Sequence, residues 1–198
     1  MNSKDWRIPF KKPDIPKALT DAGYPPLLSA VLALRGIVTA EEADVMINGG
    51  ADCLYDPMLI MGMDKAAARV RRAIETHEPV AVYGDYDVDG ITSTCLVTDY
   101  LRSKGLDCRP YIPDRNEEGY GLNCAALDTL KAENISLVVT VDCGITAAAE
   151  AEYAKTLGID MVITDHHECK EDLPKAVAVV DPHRPDCAYP FKHLAGVG

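Results

Sequence analysis

Three apolar runs of strand type each end in groups that bind hard or borderline metal ions, and this recurrence limits the fold more than any other feature of the chain. The first, Val80-Ala-Val-Tyr-Gly84, passes into Asp85-Tyr-Asp87-Val-Asp89-Gly90, with carboxylates at alternate positions. Leu137-Val-Val-Thr-Val141 ends in Asp142-Cys-Gly144, and Ile159-Asp-Met-Val-Ile163-Thr164 ends in Asp165-His166-His167. Segments of helical pattern lie between, from about Ile91 to Ser103, Asn123 to Glu133 and Thr146 to Leu157. Glycines 105 and 158 close the first and the last of these. Further strands are expected at 108–112 and 176–180. Strands alternating with helices imply right-handed βαβ crossovers and an α/β fold with a mostly parallel, doubly wound sheet. In such a sheet ligands gather beyond the carboxyl ends of the strands, near the point where strand order reverses. Residues 85–89, 142 and 165–167 are therefore expected to converge through topology, far apart as they are in sequence.

Upstream the pattern is helical. Pro25-Pro26 opens a helix that ends before Gly36, with proline in the first turn and glycine past the end. Thr39-Ala-Glu-Glu42 has capping-box spacing and opens a second, which stops near Asn48. Asp64 is expected to cap a third, from Lys65 to about His77, with Ala67, Val70 and Ile74 on one face. Lys65, Arg69 and Arg72 would then form a solvated face. Residues 1–78 read as a small helical subdomain and residues 79–198 as the α/β domain.

A net charge of −11 argues against a simple electrostatic binder of nucleic acid. Carboxylates of a metal site inflate that count, however, and bound divalent ions reverse the local field. No apolar run approaches the ~20 residues that span a bilayer. The first residues, Met1 to Arg7, lack the apolar core of a signal peptide. A cytoplasmic protein with no membrane partner is the expectation. Cysteines stand at 53, 95, 108, 124, 143, 169 and 187, an odd number without a CxxC pair. Reduced thiols fit this pattern better than a disulfide framework or a zinc ribbon.

The first carboxylate run has two competitors. D-x-D-x-D-G also opens a calcium-binding EF-hand loop, but the twelfth position, which needs glutamate, is Leu96, and a strand rather than a helix precedes it. A haloacid-dehalogenase phosphatase shares the spacing of the first two aspartates and leaves the paired histidines without a role. Carboxylate and imidazole together suit Mn²⁺, Mg²⁺ or Fe²⁺.

Gly84-Asp-Tyr-Asp-Val-Asp-Gly90, Val141-Asp142 and Asp165-His-His167 resemble the successive motifs of the DHH phosphoesterase superfamily. Tyr111-Ile-Pro-Asp-Arg115, Glu118-Gly-Tyr-Gly-Leu-Asn123, Asp181-Pro-His-Arg-Pro185 and His193-Leu-Ala-Gly-Val-Gly198 resemble its branch of bacterial single-strand-specific DNA exonucleases. Leu54-Tyr-Asp-Pro57 and Met63-Asp-Lys-Ala66 extend the likeness upstream. The resemblance implies a phosphodiesterase with two Mn²⁺ or Mg²⁺ ions that removes nucleotides from the 5′ end of single-stranded DNA. A role in DNA repair, with a helicase and a single-strand-binding protein as partners, is implied with it. Carried over by motif, the ligand set is Asp85, Asp87, Asp89, Asp142 and His166. Asp165, His166 and His167 form the catalytic set, with His167 beside the scissile phosphate. Arg115 would contact a phosphate, and Tyr120, Gly121, Asn123 and His193 would line the strand path. Asp181 stands where the family commonly carries asparagine and is not expected to be a ligand. The resemblance also places a further metal-binding aspartate, a second DHH-associated domain and an OB-fold after Gly198. The chain alone would then be weakly active or inactive. Alternatives are a DHH enzyme for short oligonucleotides, cyclic dinucleotides or pyrophosphate, and a non-catalytic module that binds DNA or a protein partner.

Overall fold

Side chains along a strand point alternately to opposite faces, so a strand buried on both sides must be apolar throughout. Val80–Tyr83 (β1) and Leu137–Val141 (β3) are buried at every position in the computed structural model, which describes residues 14–115, 119 and 121–198. They lie at the centre of a five-stranded sheet of order β2-β1-β3-β4-β5, completed by Cys108–Tyr111 (β2), Asp160–Thr164 (β4) and Ala178–Val180 (β5). Every neighbouring pair is parallel. The chain runs outward from β1 to β2 and then returns across β1 to β3. The order therefore reverses between β1 and β3.

The two faces bury two different sets of residues. Ala81, Tyr83, Val138, Met161 and Ile163 pack against helices Cys124–Ala132 (α6) and Ala148–Thr156 (α7). Val80, Val82, Val139 and Val162 pack against Met63–Thr76 (α4) and Val88–Ser103 (α5). Helices on both faces make this the doubly wound α/β sheet that the alternation implied.

The division of the chain falls between Leu54 and Tyr55, not near residue 78. Helix α4 accounts for the difference. Its residues Ala66 and Ala73 are buried in the same core as β1 and β5, so it belongs with the sheet. The first unit holds the short helices Lys17–Asp21 (α1), Pro26–Leu34 (α2) and Ala40–Asn48 (α3) around Leu19, Leu32 and Ala43. The capping box of α3 is present in full: Thr39 accepts from Glu42 N–H, and Glu42 accepts from Thr39 N–H.

Two helix starts differ from expectation. Helix α4 begins at Met63 behind Gly62, which supplies a left-handed φ of 85°, so Asp64 lies inside the first turn. Arg69, expected on the solvated face, is 9% exposed and ion-paired. Helix α5 begins at Val88, inside the first aspartate motif, because the Asp87 carboxylate accepts from Gly90 N–H at 3.0 Å.

Candidate metal centre

Where β1 ends, the chain must turn from strand to helix within a few residues. Gly90 permits this: a Cβ there would lie 2.5 Å from the Asp85 carbonyl oxygen. The turn leaves Asp85 buried at 3% exposure, Asp87 as the cap of α5 and Asp89 in its first turn. Beside it, β3 ends at Asp142, which adopts a left-handed φ of 60°. Non-glycine residues rarely adopt this conformation, and aspartate tolerates it better than most. At the next strand end, β4 delivers Asp165, His166 and His167.

These turns meet as the topology required. One oxygen each from Asp85, Asp87 and Asp142 lies within 4.8 Å of the others. Donor atoms of Asp142, His166 and His167 form a second such group. Asp142 belongs to both, which is the arrangement of a carboxylate shared by two cations. His166 Nε2 lies 3.1 Å from Asp142 Oδ1 and 3.7 Å from Asp89 Oδ2. Although Asp142 Oδ1 is buried, it accepts no hydrogen bond. A buried acceptor left open in this way is costly unless something else occupies it. A cation fits that requirement, and the donor types suit a divalent one. Burial, then the charges of Asp89 and Asp87, push the Asp142 carboxyl up to about 6.

Asp165 has another task. Its Oδ1 accepts from the backbone N–H groups of His166 and His167 and lies 2.7 Å from His167 Nδ1. Its Oδ2 accepts from Ile145 N–H. Both oxygens are thus committed to hydrogen bonds that hold the motif and orient the His167 ring. Burial works against a charged His167, but the hydrogen bond and charge of Asp165 prevail and raise its pKa. Cys143 joins neither donor group; its buried thiol faces the Tyr83 carbonyl oxygen at 3.7 Å, and burial and the nearby Asp165 push its pKa well up.

The expected substrate contacts divide. Gly121 and His167 border one cavity of about 270 Å³, together with Leu122, Ile145 and Glu150. The Arg115 guanidinium stands 5.2 Å from the ring centre of Tyr86, the residue between Asp85 and Asp87 in sequence. Asn123 is engaged elsewhere: it caps α6 through Ala126 N–H and donates to the Tyr83 hydroxyl at 3.3 Å. That hydroxyl donates to the Gly121 carbonyl, tying the cavity's rim to the end of β1. His193 packs edge-on against Phe191. Tyr120 and Glu118 lie outside the described residues.

Sequence reasoning missed the part played by the segment after His193. Gly196 and Val197 donate backbone N–H groups to the two oxygens of Asp89, at 2.7 and 2.8 Å. The glycines of that segment were the available signal. Asp181 is fully buried and accepts from His183 N–H, with its second oxygen unpartnered. It joins neither donor group, and burial pushes it up to about 6.

Residues 79–198 match the family described as DHH family, N-terminal domain. The chain is 44% identical over 194 residues to the single-stranded-DNA-specific exonuclease RecJ of Bacillus subtilis (strain 168), a match that covers 98% of this chain and 25% of that protein. It is 39% identical over 178 residues to RecJ of Escherichia coli (strain K12), covering 89% of this chain and 30% of the relative. Among solved structures it is similar to a crystal structure of exonuclease RecJ bound to manganese, with a TM-score of 0.66 and 34% identity over 73% of this chain and 37% of the other. RecJ in complex with Mn²⁺ from Thermus thermophilus gives a TM-score of 0.66 and 27% identity, covering 90% and 24%. The chain thus spans between a quarter and a third of these curated relatives.

Proposed function

The chain belongs to the DHH family, and from that premise we propose that it carries the metal centre of a RecJ-type exonuclease, which hydrolyses single-stranded DNA from the 5′ end to nucleotides. The observation that carries this reading is the pair of donor groups that share Asp142. Asp85, Asp87 and Asp142 would hold one Mn²⁺ or Mg²⁺. Asp142 and His166 of the second group would hold the other, with Asp89, 3.7 Å from His166 Nε2, in place of His167; each Asp89 oxygen keeps a lone pair beyond the one its backbone donor uses. Ions so held supply an activated water and neutralise charge on the phosphate oxygens.

The rest falls to the chain's own side chains. Asp165, as acceptor, keeps a proton on His167 Nδ1. A raised pKa favours the imidazolium, so Nε2–H can donate to a phosphate oxygen or protonate the leaving 3′ oxygen. Arg115, oriented by the Tyr86 ring, is placed to hold a neighbouring phosphate. The cavity between Gly121 and His167 would receive part of the terminal nucleotide, and Tyr120 and His193 remain candidates along the strand path. The expected repair partners, a helicase and a single-strand-binding protein, belong to the same proposal.

The test is nucleotide release from 5′- and 3′-labelled single strands, duplexes and dinucleotides, with Mn²⁺ or chelator. Release from 5′ single-strand ends that needs Mn²⁺ and is lost in Asp142→Ala is the expected result. Faster cleavage of dinucleotides would assign the chain to short oligonucleotides instead. No cleavage together with metal-independent strand binding would leave a non-catalytic module.

A further inference from the structure

We propose that Gly196 is a positioning residue of the metal centre, acting through its backbone N–H and through the side chain it lacks. The inference rests on reading the site as a metal centre. Asp89 projects from the first turn of α5, and both of its oxygens are fixed by backbone donors of a segment more than a hundred residues later, Gly196 and Val197. Backbone donors cannot rotate away as a side chain can, so the carboxylate is held in one orientation toward His166.

The second observation concerns space. A Cβ at position 196 would lie 2.6 Å from Asp142 Cγ and 2.7 Å from Asp142 Cβ, overlapping the carboxylate outright. Gly196 does not adopt a positive φ, so an alanine would meet no backbone strain there. Room for Asp142 is therefore what demands glycine. The third observation is what this segment withholds. It lies against Asp142 yet donates nothing to Oδ1, which stays buried and open. One segment thus satisfies the Asp89 carboxylate and packs against Asp142 without donating to its Oδ1, which His166 Nε2 approaches to 3.1 Å. His193, the residue of this motif expected to act, packs edge-on against Phe191. The motif's contribution to the centre comes instead from its glycine backbone.

Calorimetric titration with Mn²⁺ tests this, with the metal-free melting temperature of each variant measured alongside. The wild-type chain should bind, Asp142→Ala should lose binding, and Gly196→Ala should bind on the order of 10-fold or more weakly, the range typical of groups that orient metal ligands. Equal binding by wild type and Asp142→Ala would remove the metal-centre reading itself. Wild-type affinity in Gly196→Ala, beside lost binding in Asp142→Ala, would overturn the present inference alone. If Gly196→Ala melts too low to titrate, the double variant with Asp142→Gly decides, because only glycine removes the Asp142 Cβ as well as the carboxylate. Relief of the overlap should return its melting temperature to that of Asp142→Gly alone, and a melting temperature that stays low would overturn the assignment.

Discussion

Asp142 carries the sharpest pH dependence at the scale of single residues. Its carboxyl titrates at about 6 in the folded chain, chiefly because it is buried, against ~3.9 in an unfolded one. The folded state therefore holds this proton more tightly. The contribution to stability is full below about pH 4 and is lost as pH rises through about 6. In metal-free chain at pH 7.5, Asp142→Asn should raise the melting temperature by roughly 2–4 °C, the equivalent of about 1 kcal/mol at this length. Asparagine also tolerates the left-handed backbone at this position, so the comparison isolates the charge. The same variant should abolish the Mn²⁺-induced rise. Wild-type affinity for Mn²⁺ should climb between about pH 5 and 7, as the ligand must lose its proton to bind. Melting curves at both pH values check all three, and a lower metal-free melting temperature for the variant would show that the charge is not strained. The candidate donors were legible in the sequence because metals select residue types, and the types announce themselves. The anchoring by Asp165 and Gly196 was not, since a carboxylate's hydrogen-bond donors come from segments that only the fold brings near.

Among the elements, α4 shows how a charged pattern can mislead. A helix face with Lys65, Arg69 and Arg72 reads as solvated, yet Arg69 reaches Glu78 through two bonds of 2.8 and 2.6 Å and Asp160 through a third of 2.7 Å. Ser136 also donates to Glu78, so the loops before β1 and β3 and the first residue of β4 meet at one guanidinium. This cluster lies at the end of the sheet opposite the metal centre. Arg69→Ala leaves a largely buried Glu78 unpaired and should cost about 3–5 kcal/mol in urea unfolding. Asp160→Ala, at a half-exposed partner, should cost about 1 kcal/mol or less. Equal losses would mean that packing of the arginine stem, not the unpaired carboxylate, sets the stability. Strand and helix identities followed from apolar periodicity, a local property. Helix starts followed less well: Asp87 could serve as ligand, cap or both, and only the short bond to Gly90 shows that it is a cap. The family match begins at residue 79, where the alternation begins, while the compact unit begins at Tyr55, because whether α4 packs on the sheet depends on strands far downstream.

At the scale of the whole molecule, the chain matches proteins three to four times its length and carries a net charge of −11. Such a field repels a polyanion at long range, while positioning alone can account for ~7–11 kcal/mol of a barrier. Turnover of single-stranded DNA by residues 1–198 should therefore be at least on the order of 100-fold slower than by a chain of the relatives' full length, measured with the same Mn²⁺ and substrate. Equal rates would show that the strand needs no further surface to hold it. The order of strands in the sheet has a consequence of another kind, in time. β1 cannot complete its centre with its sequence neighbour β2; it needs β3 and β4, and the Asp89 carboxylate waits for Gly196. A growing chain thus carries the first aspartate motif through more than a hundred further residues of synthesis before its donors emerge. Because long-range parallel pairing comes late and slowly, the Asp89 carboxylate gains its two backbone donors only after Val197 has left the ribosome.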